Sequence, residues 1–274
     1  MPPSASAEAI PWLWQSRGSL AAIDPTQRFS DRVESYRLHR PGYPPAVADL
    51  LARKCGLSDR SVIADVAAGT GLLTEILLAH GLNVIAVEPN QQMREACTTL
   101  TAQYPHLRCI DGTAEATGLH DNSVNLITVG QAMYWFDLKR TRAEFVRVLK
   151  DGGWCAIIYN NRRMAGDSLH EGYERILVDF GNDYETVKDS HLTEDRIAAF
   201  FAPNSMHGTH FENSQQLTHE GLMGRILSSS YMPQVGQPRY EEMCSAAADL
   251  FARNEVRGKI RMDYDCVVCY GQLG

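Results

Sequence analysis

Residues 62–90 read VIADVAAGTGLLTEILLAHGLNVIAVEPN, and this stretch decides the fold. VIADV is a short, almost wholly apolar run, as expected of a strand covered on both faces. The small residues Ala67-Ala68-Gly69-Thr70-Gly71 follow it, and LLTEILLAHG continues as a helix closing at Gly81. NVIAV is then a second strand, ending at Glu88. Strand, small-residue turn, helix and strand make one βαβ unit, the building block of a parallel sheet. Ala and Gly let a ligand approach the backbone. An acid about 20 positions beyond such a loop can accept hydrogen bonds from ribose hydroxyls. The loop and Glu88 together read as a nucleoside site.

The same rhythm extends outward on both sides. Pro44 and Pro45 open a helical pattern carrying Val47, Leu50 and Leu51. NQQMREACTTLTAQY is helical, with Met93, Cys97, Leu100 and Tyr104 on one face. LRCIDGTAE and SVNLITVG are strands with their loops; DLKRTRAEFVRVLK is an amphipathic helix stopped by Asp151-Gly152-Gly153, and WCAIIYN is a further strand. Alternation with short loops over 45–160 predicts a doubly wound α/β sheet. Beyond residue 160 the pattern changes. LHEGYERILVDFG, a polar stretch over 182–200, GLMGRILSSSYMP and PRYEEMCSAAADLFARN are mainly helical. GTHFENSQQL has strand character, and KIRMDYDCVVCYGQL closes the chain as a strand. The expected division is an extension over 1–28, a nucleoside-binding core over 29–160, a helical lid with one returning strand over 161–240, and a closing helix and strand over 241–274. Trp12 and Trp14 suggest that the extension packs against the body.

Composition narrows the function. Apolar residues make up 44% and charged residues 22%, ordinary for a soluble domain, so disordered and fibrous classes are set aside. A net charge of −7 disfavours nucleic acid as partner, because phosphates call for a basic surface. No apolar run is long enough to span a bilayer. Seven scattered cysteines suggest free thiols and a cytoplasmic setting. Cys266 and Cys269 form a CxxC on a strand, where residues three apart point to opposite faces and cannot easily share a metal. His207 and His210 lack companion ligands, so no metal is expected.

The G-x-G-x-x-G dinucleotide fingerprint does not close in either register: it meets Ala67 and Leu72 in one and Thr74 in the other. Leu72 and Leu73 also crowd a helix start that a pyrophosphate would need bare. The loop Asp65-x-Ala67-x-Gly69-x-Gly71 instead resembles the D-x-G-x-G-x-G element of class I S-adenosylmethionine-dependent methyltransferases, with Ala67 at the first glycine. The likeness runs from about residue 29 to the end and is nearest to a small-molecule subgroup of the methyltransferase type 11 kind. It implies a mostly parallel seven-stranded Rossmann-like sheet with a helical lid, and S-adenosyl-L-methionine as cofactor. It implies Glu88 as the ribose acid with Pro89 and Met93 beside it, and Thr113, Ala114 and Glu115 framing the adenine, Thr113 standing where relatives often have Asp. VGQAMYWFD places Gln131, Tyr134 and Trp135 toward the methionine end and the substrate, with Tyr134 where the subgroup has His. SYRLHRPGYP brings Tyr36 and Arg40, and Arg40 reads either as a partner of the cofactor carboxylate or as a surface residue. SSSYMP brings Ser230 and Tyr231.

The resemblance implies methyl transfer to a small organic acceptor by in-line displacement. With no evident general base, Tyr134 or Tyr231 would orient the substrate. Tyr173, Phe180, Phe200, Met223, Tyr231 and Met232 suit an apolar acceptor or a plain core. Two alternatives stand beside this reading: a protein that binds S-adenosylmethionine for rearrangement or as a scaffold, and a nicotinamide-dependent oxidoreductase.

Overall fold

The computed structural model describes residues 33–185 and 193–273. The expectation for Trp12 and Trp14, and part of that for 182–200, lies outside them. Seven strands form one sheet in the order β3-β2-β1-β4-β5-β7-β6. They are β1 (Val62–Val66), β2 (Asn83–Val87), β3 (Arg108–Ile110), β4 (Val124–Gly130), β5 (Leu149–Arg162), β6 (Met206–Leu217) and β7 (Ile260–Gln272). β1 to β5 pair in parallel, and β7 inserts antiparallel to both β5 and β6. Strand order reverses between β1 and β4, so a crevice opens there at the carboxyl ends of the strands.

The helices are α1 (Val33–His39), α2 (Ala46–Lys54), α3 (Leu72–Ala79), α4 (Gln91–Thr98), α5 (Leu138–Val148), α6 (Ser168–Phe180), α7 (Glu194–Phe201), α8 (His219–Leu227) and α9 (Tyr240–Asn254). The strands read as unbroken apolar runs because successive side chains feed two cores. Ile63, Leu126 and Ile158 pack with Leu51, Leu73 and Leu77 of α2 and α3. Ala64, Ile127 and Ile157 pack with Phe145 of α5 and Phe200 of α7. Cys266 joins the first layer and Cys269 the second, so the CxxC thiols do face opposite sides of β7. A third core gathers α6, α8 and α9 on the first half of β7 through Tyr173, Leu222, Met243, Met262 and Tyr264.

Two local expectations are corrected, and one open choice is decided. α5 ends at Val148, before the Asp-Gly-Gly, because Leu149 already pairs with Val124 and the turn forms a bulge within β5. α7 does not join the helical layer over the cleft: Ile197, Phe200 and Phe201 pack on the main sheet. Of the two roles open to Phe200, core holds: its ring packs edge-on against Phe145. Among the described residues, no helix is long and apolar enough to cross a membrane.

Candidate active site

The five parallel strands deliver their carboxyl ends to one cavity of about 1080 Å³. That is slightly above the range usual for small-molecule pockets, about 300–1,000 Å³.

The turn after β1 is left-handed at Ala67 (φ 56°), Gly69 (φ 59°) and Gly71 (φ 91°), the three positions where the resembled motif has glycine. L-residues, which carry a Cβ as glycine does not, adopt this region at a penalty of about 1–2 kcal/mol. Ala67 is accordingly strained, beyond the mild change that its size suggests. Ala67→Gly is expected to stabilise the chain by about 0.5–1 kcal/mol, the relief being partly offset by the greater freedom of an unfolded glycine. The denaturation midpoint in urea checks this. A side chain on Gly69 would meet nothing within 4 Å, so its open face belongs to the cavity.

Asp65 and Gly71 do not line the cavity; they stand behind it. Asp65, 1% exposed, accepts hydrogen bonds from Thr74 Oγ1 (2.5 Å) and Thr128 Oγ1 (2.9 Å), tying the loop to α3 and β4. Burial lifts its carboxyl to about 6. Gly71 starts α3, and a Cβ there would press on Leu100 and Cys97 of the neighbouring helical turn.

Glu88 ends β2 and is 7% exposed. Its Oε2 accepts from Gly69 N (2.8 Å) and its Oε1 from Asn90 N (2.9 Å). Asn90 in turn caps α4, accepting from Met93 N. Burial raises the Glu88 carboxyl, opposed by those two amide bonds. An ionised carboxylate offers about four acceptor positions, so each oxygen keeps one for a ligand. Pro89 and Met93 line the same wall.

After β3, Thr113 and Ala116 exchange backbone hydrogen bonds, turning Thr113, Ala114 and Glu115 into the cavity. Thr117 locks this turn, donating from N (2.8 Å) and Oγ1 (2.6 Å) to Glu144 Oε1. The Arg147 guanidinium, with those bonds, holds Glu144 down to about 2. At the end of β4, Gln131 is left-handed (φ 56°) and donates from Nε2 to Asn160 O. Strain of this kind tends to gather at functional sites. The short helical turn Met133–Trp135 follows, with the Tyr134 and Trp135 rings 5.1 Å apart. Burial pushes the Tyr134 phenol up to about 12, so it holds its proton at neutral pH.

The far wall comes from α1 and the helical layer. Asn160 and Asn213 both donate to Gly42 O, and Gln215 donates to His39 O, strapping the segment after α1 across β5 and β6. His39 lies where a side chain on Gly224 of α8 would stand, so α1 and α8 approach closely. Arg40 is thereby drawn inward. Its Nε donates to Ser228 Oγ (3.0 Å) and its guanidinium lies 5.0 Å from the Tyr36 ring centre. Tyr36, Arg40, Gln131, Tyr134, Trp135 and Tyr231 face one volume with the loop residues above. Of the six apolar residues expected in 161–240, Tyr231 alone lines it, its ring 5.1 Å from that of Tyr184; the others are core.

Sequence reasoning passed over Asn160, Tyr184 and Arg225. Arg225 had a signal: it shares helical spacing with Leu222 and Ile226, so it sits on the apolar face of α8.

A family model described as a methyltransferase domain matches residues 64–157. An uncharacterized methyltransferase of Mycobacterium tuberculosis is 34% identical over 209 residues, which are 76% of this chain and 79% of that one. A provisionally named type II methyltransferase from Anaeromyxobacter dehalogenans shares the fold, with TM-score 0.64 at 21% identity over 85% of this chain and 98% of that one. A second similar structure, from Anabaena variabilis, is provisionally named a methyltransferase of an antibiotic biosynthesis pathway. It has TM-score 0.58 at 19% identity and covers 86% of this chain and 99% of that one.

Proposed function

This chain belongs to the class I S-adenosylmethionine-dependent methyltransferases, and from that membership we propose that it methylates a small organic acceptor held beneath its helical layer. The observation that carries the reading is Glu88. Its buried carboxylate lines the cavity, accepts one amide hydrogen bond per oxygen, from Gly69 and from Asn90, and leaves a second acceptor position on each oxygen. Those positions suit the two ribose hydroxyls of S-adenosylmethionine. The Thr113–Glu115 turn would take the adenine, and Arg40 and Gln131 the methionine end. A dinucleotide suits the site poorly: the Gly71 amide at the start of α3 already donates to Ala68 O, and Leu73 is buried in the core.

The cofactor, when bound, supplies an activated methyl group and a good leaving group. What remains for the chain is positioning, which can lower a barrier by about 7–11 kcal/mol when reacting atoms are held at near-attack distance. Tyr134 and Trp135 on one side, and Tyr231 with Tyr184 on the other, exclude water and orient the acceptor. Among the described residues no histidine lines the cavity, and a Tyr134 phenol near 12 is no base at neutral pH. The acceptor is accordingly one that needs no deprotonation by the protein, or one that is already ionised. The division into a core over 29–160 and a lid over 161–240 belongs to this proposal, with α6 and α8 supplying the lid.

The same observation keeps a second reading in view, in which the site holds S-adenosylmethionine for chemistry other than methylation. Incubation with S-adenosylmethionine and a panel of acceptors separates the two: methyl transfer releases S-adenosylhomocysteine, and the second reading does not. Tyr134→Phe is expected to lower kcat/KM about tenfold, the loss of one orienting hydrogen bond, with no change in the pH profile between 6 and 9. Unchanged rate and affinity would remove Tyr134 from the mechanism.

A further inference from the structure

Two guanidinium groups converge on one hydroxyl at the C-terminal end of α8. Arg225 is 8% exposed, lines the cavity, and donates to Ser229 Oγ (3.3 Å). Arg40 donates to the same oxygen (3.4 Å) and to Ser228 O (3.0 Å). Neither arginine forms an ion pair with a carboxylate among the described residues. The lining arginine that does, Arg162, is neutralised by Glu174. The Arg225 Nε is buried with no hydrogen-bond partner, and the nearby Tyr173 hydroxyl is in the same condition.

Each of these facts is unfavourable by itself. A buried charge is ordinarily paired, and a guanidinium cannot escape by losing its proton. Placing a second cation one hydroxyl away adds repulsion in a region of low dielectric. An arrangement of this kind becomes favourable when an anion enters. The planar guanidinium, which lines the cavity, matches a carboxylate in two parallel hydrogen bonds.

We propose that Arg225 recognises a carboxylate of the methyl acceptor, so that the substrate class is organic acids. The proposal rests on the methyltransferase reading and deepens it. Arg40 stands apart from Arg225 in role: Ser228 and the Tyr36 ring already hold it at the methionine end. With a carboxylate held by Arg225, the protein recognises one end of the acceptor by charge. Tyr134, Tyr184 and Tyr231 then bear on the remainder.

The test is calorimetric titration of the full chain, saturated with S-adenosylhomocysteine, by benzoate, octanoate and succinate, each beside its neutral amide. At least one acid is expected to bind, and its amide to bind at least tenfold more weakly. Arg225→Met is expected to weaken acid binding at least tenfold while leaving the affinity for S-adenosylhomocysteine within twofold. Arg225→Lys, which keeps the charge, is expected to fall between the two. Equal binding of acid and amide, no acid bound by the wild type, or acid binding unchanged in Arg225→Met would overturn the proposal. A loss of S-adenosylhomocysteine affinity in Arg225→Met would overturn it as well, assigning the guanidinium to the cofactor. Wild-type chain that binds no S-adenosylhomocysteine would overturn the methyltransferase reading itself, and this inference with it. The comparison of acid with amide needs no variant and stands even where Arg225→Met fails to fold.

Discussion

Glu88→Ala is expected to raise the dissociation constant for S-adenosylmethionine about a hundredfold, equivalent to about 2.7 kcal/mol. Two losses combine. The ribose hydroxyls lose their charged acceptor, and hydrogen bonds to charged groups contribute about 1.5–3 kcal/mol each. The amides of Gly69 and Asn90 lose the acceptor that sets the loop after β1 and the start of α4. Glu88 sits at a strand end and supports no apolar core, so the variant should remain folded. Calorimetry with S-adenosylmethionine, beside a melting curve, checks both halves. A variant that melts as the wild type and binds as tightly would remove Glu88 from the site.

Gly112→Ala is expected to destabilise the chain by about 2–3 kcal/mol, the upper part of the range of about 1–3 kcal/mol for forcing volume into a packed site. A Cβ there would stand 2.5 Å from the backbone oxygen of Thr117 and 2.9 Å from Val87 Cγ1. The carbonyl cannot retreat, because Thr117 is fully buried and holds Glu144 through both its amide and its hydroxyl. Glu144 is held in turn by Arg147 at 2.7 and 2.8 Å. The strain must pass into the turn that carries Thr113, so cofactor affinity should fall together with stability. Melting temperature should drop by roughly 5–10 °C for a chain of this size. Unchanged melting would mean that the Thr117 turn is softer than its hydrogen bonds imply.

Much of the fold was legible because the parallel strands are buried on both faces. Ile63 and Ala64, or Leu126 and Ile127, serve opposite cores and therefore read as continuous apolar runs. The loop after β1 was legible because backbone geometry restricts its side chains: positions 67, 69 and 71 are all left-handed, and Ala67 is the one that departs from glycine. Glu88 could be read from its distance along the chain to that loop. What could not be read was which side chains meet across long separations. Asp65 looks like a ligand residue in the sequence, yet it is turned away from the cavity onto Thr74 and Thr128. The aromatic residues of 161–240 divide between a third core and the main sheet, because α7 crosses back to pack beside α5. Arg225 is informative only once the end of α1 has been strapped across β5 and β6 through His39 O and Gly42 O and brought against α8 at Gly224, a set of contacts spanning most of the chain.

Which nucleoside the Gly69 loop and Glu88 hold is decided by calorimetric titration of the purified chain with S-adenosylmethionine and, separately, with NADH. Micromolar binding of S-adenosylmethionine with no heat from NADH is the predicted result. Binding of NADH, or no binding of S-adenosylmethionine to folded protein, would mean that the site is not an S-adenosylmethionine site.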